Sequence, residues 1–112
     1  IYIHFPWCVL KCPYCDFNSH PIKVVSYLSE QYYQKLRADF DTHLDDLQAR
    51  EVISIIIGGG TPSLFKAEYL YKVLKHITIN TKISIYCEIT LVMNPGTLER
   101  GRILSYQNIG IN

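Results

Sequence analysis

The stretch that decides the fold is residues 52–60, which read VISIIIGGG. The run from Val52 to Ile57 is almost entirely aliphatic and β-branched, which is typical of a buried strand in a parallel sheet. Three glycines follow it. They predict either a tight turn between a strand and a helix, or a loop whose backbone approaches a ligand and offers it free N–H groups. The pattern alone leaves both interpretations open.

Helical periodicity lies on both sides of this strand. Upstream, we predict one helix over residues 26–49, because apolar residues recur there at steps of three and four, namely Tyr33, Leu36, Phe40, Leu44 and Leu47. Downstream, we predict a helix over residues 66–77 with one apolar face, namely Leu70, Val73, Leu74 and Ile77. Asn80 and Thr81 should break that helix.

The ends of the chain add further elements. Residues 1–5 form a short β-prone run that Pro6 ends, and residues 83–91 alternate cleanly between apolar and polar side chains. Asn94-Pro95-Gly96 predicts a turn, Thr97 could cap a third helix over residues 97–107, and a fourth strand should begin at Ile109.

The order of elements is therefore (βα)₃ plus the start of another strand. Strands separated by helices imply parallel pairing through right-handed crossovers. Three such units do not close a barrel, and they leave open sheet edges. We predict an α/β fold that is a partial parallel (βα) barrel. The simplest interpretation is that residues 1–112 form half of a larger barrel.

Composition excludes several functional classes. The chain has 112 residues, of which 48% are hydrophobic and 19% are charged, as in ordinary globular domains. Its formal net charge is +1, and it has no stripe of Lys and Arg, which argues against nucleic acid as a partner. No segment is apolar over the roughly 20 residues that a transmembrane helix needs.

Three of the four cysteines carry the main chemical signal. Cys8, Cys12 and Cys15 lie within eight residues, whereas Cys87 is distant and reads as a small buried hydrophobic residue. Such clustering favours metal ligation in a reducing compartment, hence the cytoplasm, over disulfides. Three thiolates can hold three irons of a 4Fe–4S cluster and leave the fourth iron open. Zinc and a disulfide remain alternatives, although zinc loops usually pair their ligands in two separated knuckles.

The cysteine loop and the glycine turn both follow predicted strands. Barrel enzymes place their chemistry at the mouth formed by the carboxyl ends of the strands, so we expect the two loops to meet there. Glu88 should point into the barrel, where either a polar ligand or a structural Lys or Arg would have to satisfy it. His4 and His20 are interpreted as structural histidines rather than ligands.

Several stretches together resemble the radical S-adenosylmethionine (SAM) superfamily. They are IYIHFPWC at residues 1–8, the CxxxCxxC loop, DFNSH at residues 16–20, and GGGTPSL at residues 58–64. Within the superfamily they are most similar to the oxygen-independent coproporphyrinogen oxidase group, and closest to its heme chaperone branch. The resemblance extends over essentially the whole chain and matches about the first third of such proteins. It implies that residues 1–112 are the N-terminal part of the core domain, with the rest of the barrel and a C-terminal domain outside this chain.

The resemblance implies a set of cofactors and roles. Cys8, Cys12 and Cys15 would ligate a 4Fe–4S cluster whose open iron chelates SAM. Residues matching the SAM contacts are Tyr2 and Tyr14, and those matching the turn at its methionine end are Gly59, Gly60 and Thr61. No catalytic side chain is assigned.

For the full-length protein, the resemblance implies binding of heme or porphyrin and delivery of heme to recipient proteins. The alternative is an enzyme that oxidatively decarboxylates coproporphyrinogen, an activity that the chaperone branch is expected to lack. A third alternative is a decayed relic without activity.

One position departs from the family pattern. Members of the family usually carry a second Glu before the Asn-Pro-Gly turn, and that Glu contacts SAM, whereas this chain has Val92. Loss of an acceptor leaves donors of the ligand unpaired. We therefore predict that the cluster site is kept and that the affinity for SAM is reduced.

Overall fold

The computed structural model describes residues 1–8, 20–21, 26–60, 62, 65–92 and 100–112. The described elements, in chain order, are β1 (Tyr2–Phe5), β2 (Trp7–Cys8), β3 (His20–Pro21), α1 (Ser26–Thr42), α2 (Leu44–Gln48), β4 (Glu51–Gly59), α3 (Ala67–Asn80), β5 (Lys82–Leu91) and α4 (Arg100–Asn108). None of the described helices is both long and apolar enough to cross a membrane.

The main sheet has the order β1-β4-β5, and both of its pairings are parallel. The glycine-ended strand β4 lies in the middle, with Phe5 of β1 opposite Gly59 and Leu91 of β5 opposite Ile57. A second, two-residue pairing joins β2 to β3, also in parallel. The α/β class and the partial parallel sheet predicted from the sequence are confirmed.

One face of the sheet packs against the helices and forms the core. The buried strand residues are Ile3, Phe5, Val52, Ile55 and Ile57, and the predicted apolar face of α3 is buried in full, namely Leu70, Val73, Leu74 and Ile77. The opposite face is open, with Tyr2 58%, Ile56 43% and Val92 46% exposed. In the described part of the chain β4 is therefore buried on the helix side only, because three strands do not close into a barrel that would cover the second face.

The predicted helix over residues 26–49 is two helices with a break at His43. There the backbone tightens, since the His43 N–H donates to the Phe40 carbonyl three residues back at 3.0 Å. The Thr42 hydroxyl donates to the Asp39 carbonyl at 2.6 Å and so competes with the regular helical bonds. The apolar stripe nevertheless continues across the break, because Leu44 and Leu47 remain half-buried.

The clean alternation predicted for residues 83–91 is interrupted by a bulge. Val52 pairs with Ile83 but Ser54 pairs with Glu88, so residues 84–87 of β5 stand opposite a single residue of β4. Extra residues in one strand re-aim its side chains. Ile85 is consequently 90% exposed instead of sharing the core with Ile89 and Leu91.

The C-terminal end also differs from expectation. The predicted turn at residues 94–96 and the cap Thr97 lie outside the described residues. Residues 109–112 form a turn at Gly110 and an extended end rather than a strand. Asn112 bonds to β5 on the side away from β4, where its backbone N–H donates to the Ile89 carbonyl at 3.0 Å and its side-chain Oδ1 accepts from the Ile89 N–H at 2.8 Å.

Candidate functional site

The carboxyl ends of β1 and β4 meet at one edge of the sheet. Phe5 stands opposite Gly59, and the Phe5 carbonyl accepts a hydrogen bond of 2.6 Å from the Gly60 N–H. Cys8 lies in β2, three residues after Phe5. The strand that leads into the cysteine loop and the glycine turn are therefore neighbours, as the parallel arrangement predicts. Four predicted site residues lie outside the described part of the chain, namely Cys12, Tyr14, Cys15 and Thr61.

Tyr2 covers the start of the glycine turn. Its hydroxyl lies 3.0 Å from Nδ1 of His4, which fixes the tyrosine ring over the sheet. A Cβ on Gly58 would lie 3.2 Å from Cε2 of Tyr2 and 3.6 Å from Cγ2 of Val92. The three residues thus share one patch of the open face, and the 58% exposure of Tyr2 leaves its ring accessible.

Gly59 is required by the fold itself. Its φ is +112°, and a Cβ would lie 2.5 Å from the Phe5 carbonyl oxygen and 2.9 Å from the His4 ring. The Gly60 N–H is bonded to the Phe5 carbonyl, which favours the tight turn over free N–H groups, the two interpretations that the sequence left open. A tight turn explains these two glycines. The same turn brings the His4 imidazole against Gly59.

Val92, which stands in place of the second Glu expected from the resemblance, lies beside Gly58 and Tyr2. Its backbone N–H donates to the Ile57 carbonyl at 2.9 Å, and its side chain is 46% exposed on the face that carries Tyr2. The chain therefore presents an apolar side chain beside Tyr2, at the position where the family pattern has a carboxylate.

Glu88 is exposed rather than buried. The Thr90 hydroxyl donates to its Oε1 at 3.0 Å, and among the described residues no Lys or Arg pairs with it. The expected desolvation cost is absent because the face that would become the barrel interior is open in this chain.

Cys87 behaves as the sequence suggested. It is half-buried and packs against the core, and burial raises the pKa of its thiol. Among the described residues, no group of three His, Cys, Asp or Glu side chains could hold a metal ion.

Tyr32 is a site residue that the sequence did not reveal. Its hydroxyl donates to the His4 carbonyl, and its ring meets Phe5 edge-on at 5.5 Å. Burial, and then the negative charge of Asp39, raise the pKa of Tyr32 to about 12, so the hydroxyl remains a donor at neutral pH. The apolar stripe of α1 points to the neighbouring Tyr33 instead. Only the tertiary contact with His4, 28 residues away, marks Tyr32.

A cavity of about 390 Å³ opens beside the outer edge of β1, between α1 and α3. Leu36 and Phe40 contribute apolar walls, and His76 borders the cavity from α3. His76 Nε2 lies 2.7 Å from Asp41 Oδ1, and the Phe40 ring meets the imidazole edge-on at 5.5 Å. These contacts tie the two helices together next to the cavity.

The chain belongs to the radical SAM superfamily, whose family model matches residues 2–112. It is 50% identical over 116 residues to the heme chaperone HemW of Haemophilus influenzae, covering 99% of this chain and 30% of that protein. It is 45% identical over 112 residues to the heme chaperone HemW of Escherichia coli strain K12, covering 100% of this chain and 29% of that protein. The resemblance to the heme chaperone branch is confirmed.

A solved structure of coproporphyrinogen III oxidase (HemN) from Escherichia coli, described as a radical SAM enzyme, matches with a TM-score of 0.89. The match covers 99% of this chain and 25% of that one at 22% identity, and it establishes the fold. The present chain spans about 30% of the length of the curated relatives named above.

Proposed function

We propose that this chain forms part of the cofactor-binding core of a radical SAM protein of the heme chaperone type. In this proposal Cys8, Cys12 and Cys15 ligate a 4Fe–4S cluster whose open iron binds SAM. The observation that carries it is the pairing of Phe5 with Gly59, which supports a common location for the cysteine loop and the glycine turn. The bound cluster supplies the electron for reductive cleavage of SAM in active family members.

The residues of this chain would bind and orient SAM. The exposed Tyr2 hydroxyl, held by His4, is available to a polar group of the ligand, and Tyr14 would add a second contact. Because the Gly60 N–H is engaged by Phe5, Gly60 would contribute its carbonyl, an acceptor that suits the amino group at the methionine end. Gly59 and Thr61 would complete that turn.

For the whole protein we propose binding of heme and its delivery to recipient proteins in the cytoplasm. The names of the relatives at 45% and 50% identity support heme as the ligand. The clustered cysteines support a reducing compartment. The similarity in fold to HemN favours one second candidate, an oxygen-independent coproporphyrinogen oxidase. A heme-binding assay set against a coproporphyrinogen turnover assay, both on the full-length protein, separates the two.

The cluster assignment is tested by anaerobic reconstitution with iron and sulfide. The protein should take up a reducible cluster whose EPR signal changes when SAM is added. Cys12→Ala should lose the cluster, whereas the matched variant Cys87→Ala should keep it. A cluster retained in Cys12→Ala would refute the assignment of the ligands, and no cluster in the folded parent protein would refute the site and favour a relic.

A further inference from the structure

A side chain from α1 hydrogen-bonds to the backbone of β1 at the edge that faces away from β4. Among the described strands β1 is the end strand of the main sheet, so one row of its backbone groups faces none of them. The Phe5 carbonyl points toward β4, since it accepts a hydrogen bond from the Gly60 N–H. Because successive carbonyls of a strand point to opposite edges, the His4 carbonyl points away from β4. There it accepts a hydrogen bond from the Tyr32 hydroxyl, so α1 satisfies a backbone group that the sheet leaves open.

The Tyr32 ring is itself fixed by an aromatic cluster, defined as Phe5, Tyr32 and Phe65. The Tyr32 ring meets Phe5 edge-on at 5.5 Å and Phe65 edge-on at 6.1 Å, and the two phenylalanines lie 4.6 Å apart. Phe5 is 2% and Phe65 is 3% exposed. Edge-to-face rings in a dry core restrict one another, so the hydroxyl reaches His4 from a rigid support.

A short series of contacts links this support to the candidate site. The His4 ring lies so close to Gly59 that a Cβ there would be 2.9 Å from it. Nδ1 of the same ring lies 3.0 Å from the Tyr2 hydroxyl, and the Tyr2 ring covers Gly58. A shift of the His4 backbone would therefore move both Tyr2 and the ring that lies against the turn.

We propose that Tyr32 is a positioning residue for the ligand that binds at the carboxyl end of the sheet. Its hydroxyl fixes the His4 backbone, and through the His4 imidazole it orients the Tyr2 hydroxyl toward the ligand. The inference deepens the proposed function and rests on it only for the identity of the ligand, SAM.

The test compares Tyr32→Phe with Tyr33→Phe. Both variants keep an aromatic ring, both lie on α1, and Tyr33 is buried against Tyr69, with the rings 6.2 Å apart. After anaerobic reconstitution, SAM is titrated against the EPR signal of the cluster, and iron content is measured on the same samples. Tyr32→Phe should raise the Kd for SAM about fivefold, with iron content unchanged. This factor corresponds to the loss of one net hydrogen bond between the Tyr2 hydroxyl and SAM. Tyr33→Phe should leave the Kd unchanged.

A second readout separates positioning from mere support of the fold. In the cofactor-free protein labelled with ¹⁵N-histidine, the His4 ring resonances, assigned with a His4→Asn variant, should shift in Tyr32→Phe and stay in place in Tyr33→Phe. An unchanged Kd for SAM in Tyr32→Phe would overturn the proposal, whatever the resonances do. Loss of the cluster in Tyr32→Phe would also overturn it, because Tyr32 would then act on the fold or the cysteine loop. If the parent protein itself fails to respond to SAM, the proposed function fails, and the His4 resonances still decide whether Tyr32 positions His4.

Discussion

Replacing Gly59 by Ala should weaken the fold by more than backbone strain alone. An L-residue at φ +112° costs about 1–2 kcal/mol. The new methyl group would also lie 2.5 Å from the Phe5 carbonyl oxygen, a backbone atom that cannot swing away. Relief of this clash requires β1 and β4 to separate there, with loss of the Gly60–Phe5 hydrogen bond, which is worth about 1 kcal/mol net. We expect a total loss of about 2–3 kcal/mol in the free energy of unfolding.

Gly110→Ala is the matched control for this prediction. Gly110 has a similar φ of +103°, but a Cβ there would meet no atom within 4 Å. It should therefore cost only the strain, about 1–2 kcal/mol. Urea unfolding followed by far-UV circular dichroism measures both variants against the parent protein. Equal losses for the two variants would refute the argument that close packing of Phe5 and His4 makes Gly59 necessary.

Three further predictions concern the ligand, the pH and the helices. Val92→Glu should restore an acceptor beside Tyr2 and tighten SAM binding about tenfold, as measured by titration of the reconstituted protein. Stability should fall as the pH rises from 10 toward 12, because the folded-state pKa of Tyr32 is about 12 and its ordinary value is 10.0. The contribution of Tyr32 is fully present below pH 10, and urea midpoints of the cofactor-free protein should fall less steeply in Tyr32→Phe. A double-mutant cycle on Asp41→Asn and His76→Gln should give a coupling energy of about 0.5–1 kcal/mol in urea unfolding.

Each of these predictions has a control in the same chain. Val92→Leu adds no acceptor and should leave SAM binding unchanged; if Val92→Glu also binds no more tightly, the assigned role of this position is wrong. If the urea midpoint falls equally with rising pH in the parent protein and in Tyr32→Phe, the pH argument is wrong. The Asp39–His43 pair lies at 3.8 Å, with side chains 76% and 62% exposed, and its cycle should give a coupling energy near zero. A coupling between Asp41 and His76 as small as that would show that their contact does not tie α1 to α3.

The sequence was most informative where one physical requirement dominates. The run at residues 52–57 favours a strand, because it is short, ends at glycines and has five aliphatic β-branched residues in six positions. The spacing of Leu70, Val73, Leu74 and Ile77 allows only one buried helical face, and all four are buried. The common location of the carboxyl ends of β1 and β4 at one edge of the sheet followed from parallel pairing, not from any single residue.

Features that depend on individual hydrogen bonds or on strand register could not be predicted. The break at His43 comes from local bonds of Thr42 that compete with an otherwise continuous apolar stripe. The bulge in β5 exposes Ile85 although the alternation there is clean, because alternation does not record how many residues face the neighbouring strand. Tyr32 was missed because its partner is a backbone carbonyl, which carries no sequence signal.

Mössbauer spectroscopy of the protein reconstituted with ⁵⁷Fe tests the central claim most directly. The claim is that the cysteine loop and the glycine turn meet at the carboxyl end of the sheet to hold a cluster with one open iron beside SAM. Addition of SAM should change the isomer shift of about a quarter of the iron, the share of a single site in a 4Fe–4S cluster. Iron that forms no cluster, or a cluster whose sites are all indifferent to SAM both in the parent protein and in Val92→Glu, would contradict it.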